Sequence, residues 1–139
     1  MDKLELLLNA GNLLNTLSSI LDEERQALSE RNDVAMNGVA ERKQALLNDI
    51  ALIEPELARV FEEARQSEQE DTGVESLRDL LAACREKNRV NGKLAASGLN
   101  VMEKSIAMLE SLMQIGRVRT YDAEGRRESG VAKRNIGVA

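Results

Sequence analysis

Apolar residues in the first thirty positions fall in pairs seven apart: Leu6-Leu7, Leu13-Leu14, Ile20-Leu21 and Ala27-Leu28. A strand alternates with a period of two, so a sustained period of seven is readable only as α-helix. The stripe is two residues wide, which is the width a bundle helix buries. Leu, Ala, Glu, Arg and Lys make up about half of the chain, a bias that goes with long helices. There is one proline and no tryptophan, and aromatics are 1% of residues. The core must therefore be built from Leu, Ala, Ile, Val and Met.

The pattern divides the chain. A first helix is expected over residues 4–30, with Gly11 held by the stripe rather than by propensity. "RND" at 31–33 punctuates it, and Asp33 is the expected N-cap of the next helix. Met36, Val39, Lys43, Leu46, Leu47, Ile50 and Ile53 form the second stripe, and the short connection makes the two helices antiparallel neighbours. Pro55 either kinks this helix or makes it stop and restart, because proline lacks an N–H and disfavours helix in the residue before it. Helix is expected to about residue 67, and "SEQEDTG" forms a loop. Thr72 and Glu75 have capping-box spacing. A third helix is expected from about 73 to 115, roughly 63 Å long. Its seam is Val74, Leu77, Leu81, Cys84, Asn88, Asn91, Ala95, Gly98, Met102, Ser105, Leu109 and Leu112. Asn91-Gly92 is a hairpin signal taken alone, but the heptad phase passes through it. Asn at a seam costs stability and can fix register. The other reading of "NRVNG" is a specific contact to a partner, with Gly92 and Gly98 allowing close backbone approach.

The expected fold is all-α: an elongated antiparallel bundle of three to four long helices, four if Pro55 splits the second, with coiled-coil-like packing. Residues 1–116 would form the bundle domain and 117–139 an irregular, flexible C-terminal tail.

Catalytic constellations are not evident. The chain has no histidine, and Cys84 is the only cysteine, so neither a thiolate metal cluster nor an internal disulfide can form. Cys84 sits on the apolar stripe and reads as a small core residue. Glu23-Glu24 and Glu62-Glu63 are adjacent pairs, which point about 100° apart on a helix. They are read as solvated surface. No catalytic residue, metal or cofactor is expected, and the protein is not expected to be an enzyme. No apolar run approaches the ~20 residues that span a bilayer. The N-terminus, with Glu5 in its apolar stretch, makes a poor signal peptide. A cytoplasmic location is expected, without membrane insertion. Net charge is −5 and split: residues 117–139 hold six Arg or Lys against three Asp or Glu, so the tail is +3 and the rest −8. An acidic body argues against nucleic acid.

What remains is work done by surface. Leu99, Val101, Met102, Ile106, Met108, Leu109, Leu112, Met113 and Ile115 spread over roughly 200° of a helical wheel. Three of the five methionines lie here, and methionine suits surfaces that accept helices of varied shape. Either this arc is covered by bundle neighbours, or it receives a partner. The chain closes on "TYDAEGRRESGVAKRNIGVA", glycine-punctuated and basic, with the single tyrosine, Tyr121, near its root. Such a segment is either a frayed terminus or one that orders on binding.

"LLNTLSSILDEERQALSERN", "ERKQALLNDI", "NRVNGKL", "TYDAEG" and "NIGVA" occur in that order over nearly the whole chain. In their order and spacing the chain resembles the FlgN family, chaperones of the bacterial flagellar type III export system. The resemblance implies binding and shielding of the hook–filament junction proteins FlgK and FlgL, and their delivery to the export gate protein FlhA. It implies client binding by the C-terminal region, which here offers Leu99, Met102, Ile106, Leu109 and Met113, with Ile136 and Val138 from the tail. It implies gate docking through Tyr121, taken to lie just past the last helical residues. A monomer or weak homodimer is expected. The alternative is a structural coiled-coil subunit of a permanent oligomer.

Overall fold

The computed structural model describes residues 2–95 and 100–124, with the backbone alone at 100 and 116–124. Among them are four helices and no strand: α1 (Lys3–Glu30), α2 (Asp33–Gln66), α3 (Thr72–Leu94) and α4 (Asn100–Glu124). The all-α antiparallel bundle is present. The fourth helix arises differently from the expectation.

The starts of α1, α2 and α3 are each fixed by a side chain that takes an orphan backbone donor. Asp2 accepts from the N–H of Glu5 at 2.8 Å, opening α1. Asn32, not Asp33, caps α2, accepting from Ala35 at 3.1 Å. Asp71, not Thr72, caps α3, accepting from Val74 at 3.1 Å; Thr72 is already the first helical residue. In both corrections the cap lies one residue earlier, where the backbone is still extended. The α1–α2 reversal takes two residues because Arg31 adopts the left-handed conformation, φ 54°. The N–H groups of Arg31 and Asn32 then close onto the carbonyls of Leu28 and Ala27.

Pro55 lies inside α2 without ending it. Ala51, whose carbonyl Pro55 leaves without its usual helical donor, is exposed, so water can serve it. Ile50, Ile53 and Leu57 are buried around the proline and hold both halves of the helix to one core.

α1 packs on α2 and on α3, and α4 packs on α2 and on α3. α1 and α2 are antiparallel: Glu23 meets Arg42, and Glu24 meets Lys43. α1 and α3 run parallel, with the Cys84 thiol on the Leu14 carbonyl and the Asn91 amide on the Leu21 carbonyl. α4 returns antiparallel to α3, since Arg85 pairs with Glu110 and Asn88 with Ser105. The interior is aliphatic, with Leu6, Leu17, Leu21, Leu81, Leu109 and Leu112 among its least exposed members and Phe61 at one end. The Arg78 guanidinium lies 5.4 Å above the Phe61 ring.

The expected single helix over 73–115 is corrected. α3 ends at Leu94, Ala95 leaves in extended backbone, and α4 begins at Asn100. At 28 residues α1 spans about 42 Å, so a straight 63 Å helix would have left its end unpacked. Folding back buries both halves of the seam: Val74, Leu77, Leu81, Cys84, Asn88 and Asn91 on α3, and Met102, Ser105, Leu109 and Leu112 on α4. Asn91-Gly92 is not the turn, as its unbroken phase implied. Ala95 is the α3 cap, and Gly98 lies outside the described residues.

Candidate interaction surface and the polar layer beneath it

α4 carries the residues expected to meet a partner, and their environments differ. Met102 is 5% exposed and Leu109 1%, so both are interior to the bundle. Ile106 is 39% exposed and Met113 half-buried, the latter packed against the core with Met108 and Ile115. Ile106 and Met113 are thus the two α4 residues of this set that reach the outside. Leu99, Ile136 and Val138 lie outside the described residues. Tyr121 falls within α4 rather than beyond its end, because helical backbone continues to Glu124; its side chain is outside the described residues. The expected start of the tail at 117 likewise falls inside this helix.

Gly92 faces side chains of α4, not another backbone. A Cβ there would stand 3.4 Å from Ile106 Cδ1 and 3.9 Å from the Met102 sulfur. The glycine is the place where Ile106 leans onto α3.

Below this surface the apolar core is interrupted by a layer to which all four helices contribute. Lys43 is fully buried, 0% exposed. Its ammonium donates to both oxygens of Glu24 at 2.9 Å and to Asn88 Oδ1 at 2.7 Å. Asn91 Nδ2 donates to Glu24 Oε1 and to the Leu21 carbonyl, each at 2.9 Å. The single hydroxyl hydrogen of Ser105 of α4 is shared between the Met102 carbonyl at 2.8 Å and Asn88 Oδ1 at 3.2 Å. Burial holds the Lys43 ammonium below the ordinary lysine range, and the adjacent Glu24 carboxylate pulls it back up. Because each charge and most amides need one particular partner, the layer fits only one register of the four helices.

Asn88 and Asn91 therefore act as the register-setting seam residues of the first reading of "NRVNG". One of their partners, Glu24, escapes the pattern reading, which groups it with Glu23 as solvated surface. Glu23 is indeed exposed, with Arg42 holding its carboxylate below the usual range, but Glu24 is buried. The signal was present: Glu24 stands three after Leu21 and three before Ala27, inside the stripe. Lys43 was placed in the second stripe, where only a buried anion could keep it.

Elsewhere Asp22 and Ser18 of α1 each lie 2.8 Å from the Lys87 ammonium of α3. Lys3 binds the cap Asp71 and, as the largest cause, lowers its carboxyl from the usual range. Large apolar side chains are exposed at Leu4, Leu8, Val34, Leu52 and Leu94. Among the described residues no group of three or more His, Cys, Asp or Glu could hold a metal ion, and no helix is long and apolar enough to cross a membrane.

No curated protein and no solved structure matches the chain. The family model described as FlgN protein matches residues 1–129 of the 139. With the motifs of all four helices inside that span, the chain belongs to the FlgN family.

Proposed function

We propose that this protein is a flagellar export chaperone that binds hook–filament junction proteins of the FlgK and FlgL type, shields their terminal helices and delivers them to the FlhA component of the export gate. Membership of the FlgN family is the observation that carries the reading, and it supports the flagellar export chaperone role in general. The α4 surface supports a helix-binding role. Ile106 and Met113 are accessible, and methionine-rich faces adapt to varied partners. Tyr121, on the last turns of α4, is the proposed gate anchor; an aromatic on a helix end gives a rigid, large contact. Leu99, Ile136 and Val138 complete the proposed client contacts.

The permanent-oligomer alternative drew on stripes too wide for one seam. Most of each stripe is buried by helices of the same chain, which supports the chaperone reading over the oligomer. Light scattering of the purified protein with and without a FlgK-type client tests the reading. A monomer or weak dimer that becomes a 1:1 complex is expected; a tight oligomer indifferent to the client would refute it. Tyr121→Ala should leave client binding and melting temperature nearly unchanged while lowering affinity for the gate protein. A clear fall in melting temperature with unchanged gate affinity would remove Tyr121 from that role.

A further inference from the structure

We propose that the position α4 occupies is an exchangeable berth. A partner's amphipathic helix takes the place of α4 there, keyed by a small hydrogen-bonding side chain at the level of Ser105. The proposal rests on the chaperone reading above for the identity of that helix, the terminal helix of the client.

The first support is how the polar layer is closed. Its charge pair and strongest bonds join α1, α2 and α3 alone: Lys43 to Glu24 and Asn88, and Asn91 to Glu24 and the Leu21 carbonyl. α4 adds only Ser105 on Asn88 at 3.2 Å, long for a hydroxyl bond, and the Met102 sulfur 3.8 Å from Lys43. The shorter bond of Ser105 stays within its own helix. Among the described residues, departure of α4 breaks no buried ion pair; the tie Arg85–Glu110 is part-exposed and of a kind that contributes little.

The second support is what α4 contributes instead, which is non-directional apolar burial by Met102, Leu109 and Leu112. Any helix with apolar residues at that spacing restores it, since burial depends on area rather than on identity. α4 itself, seated on α2 and α3, defines the occupant: an amphipathic helix with apolar positions 0, +7 and +10 and a small polar residue at +3. Ser105 is 0% exposed and faces Asn88, so a leucine in that place would crowd the layer and cover its acceptor. The third support is that α3 ends at Leu94 and α4 begins at Asn100, so the two are separate helices rather than one continuous rod. In the berth, Met102 and Leu109 mark the seat on α2 and α3 that the client helix would fill rather than touching the client themselves.

The test uses the full chain with Arg85→Cys and Glu110→Cys, two residues that face each other across α3 and α4. A short bis-maleimide joins them. Buried Cys84, its thiol pushed up to about 11, is spared. Two probes are read by fluorescence anisotropy: a labelled peptide copying residues 100–124 and a purified FlgK-type protein. The unlinked variant should bind both, and the linked form at least tenfold more weakly. The Ser105→Leu peptide should bind the unlinked variant at least tenfold more weakly than the parent peptide. Equal binding of the client by linked and unlinked protein would overturn the berth while leaving the chaperone reading standing. Client binding by neither form would remove both. A Ser105→Leu peptide that binds like the parent would overturn the polar key.

Discussion

Glu24→Ala removes the only anion that Lys43 touches among the described residues. The ammonium is left with Asn88 Oδ1 at 2.7 Å and a thioether, in a site with no solvent exposure. Stripping one partner from a buried pair costs roughly 3–5 kcal/mol, a large part of a total stability of about 5–15 kcal/mol. With a urea m-value of about 2 kcal/mol/M, the midpoint should fall by roughly 1.5–2.5 M. The pH dependence identifies the cause. Both influences that raise the Lys43 pKa come from Glu24, so its loss drives that pKa further below the ordinary value of about 10.4. Between the lowered folded pKa and 10.4 the unfolded chain binds more protons than the folded one, so stability rises with pH across that window. The deficit of Glu24→Ala against the parent should therefore shrink between pH 7 and 10, and the titration of Cys84 cancels in that difference. The double variant Glu24→Leu/Lys43→Met should recover most of the loss, because a well-packed apolar pair is commonly as good as a buried ion pair. Urea unfolding by circular dichroism at several pH values reads all three. A Glu24→Ala deficit below about 1 kcal/mol, or one flat with pH, would refute the claim that a charged Lys43 depends on this carboxylate.

Leu81→Ala should cost about 2–5 kcal/mol by the same assay, since Leu81 is 2% exposed at the level where α1, α2 and α4 also meet. A cost under 1 kcal/mol would mean that the bundle interior is loosely packed. Arg31→Gly should raise stability, by up to about 1–2 kcal/mol, by relieving the side-chain penalty at φ 54°; destabilisation would mean that Arg31 makes contacts outweighing its strain. Cys84 should resist maleimide at pH 7.5 in the native protein and react promptly in urea, because burial holds the thiol near 11. Measured against a Cys84→Ala control, in which the opposing Lys43 titration cancels, the stability difference should fall as pH rises from about 9 towards 11, where the unfolded thiol ionises first. Fast native labelling would contradict the buried site.

How much of this protein was legible depends on whether a feature is local. The period of seven fixed the helices and their buried faces, since burial of a stripe follows from side-chain direction along one helix. Leu6, Leu14, Leu21, Leu46, Ile50 and Leu81 are interior as the pattern requires. The loop at 67–71 was readable from its composition, and the caps to within one residue. The reversal between α3 and α4 was not readable, because both arms point their seams at the same interior, and a heptad phase carries no information about chain direction. Only the length of α1 and the burial gained against α2 decide that the chain turns back. The polar layer shows the same division. Asn88, Asn91 and Lys43 stood out on their stripes one by one, and Glu24 could have. Tertiary packing alone sets the Lys43 ammonium 2.9 Å from that carboxylate and turns four isolated anomalies into one register-fixing cluster.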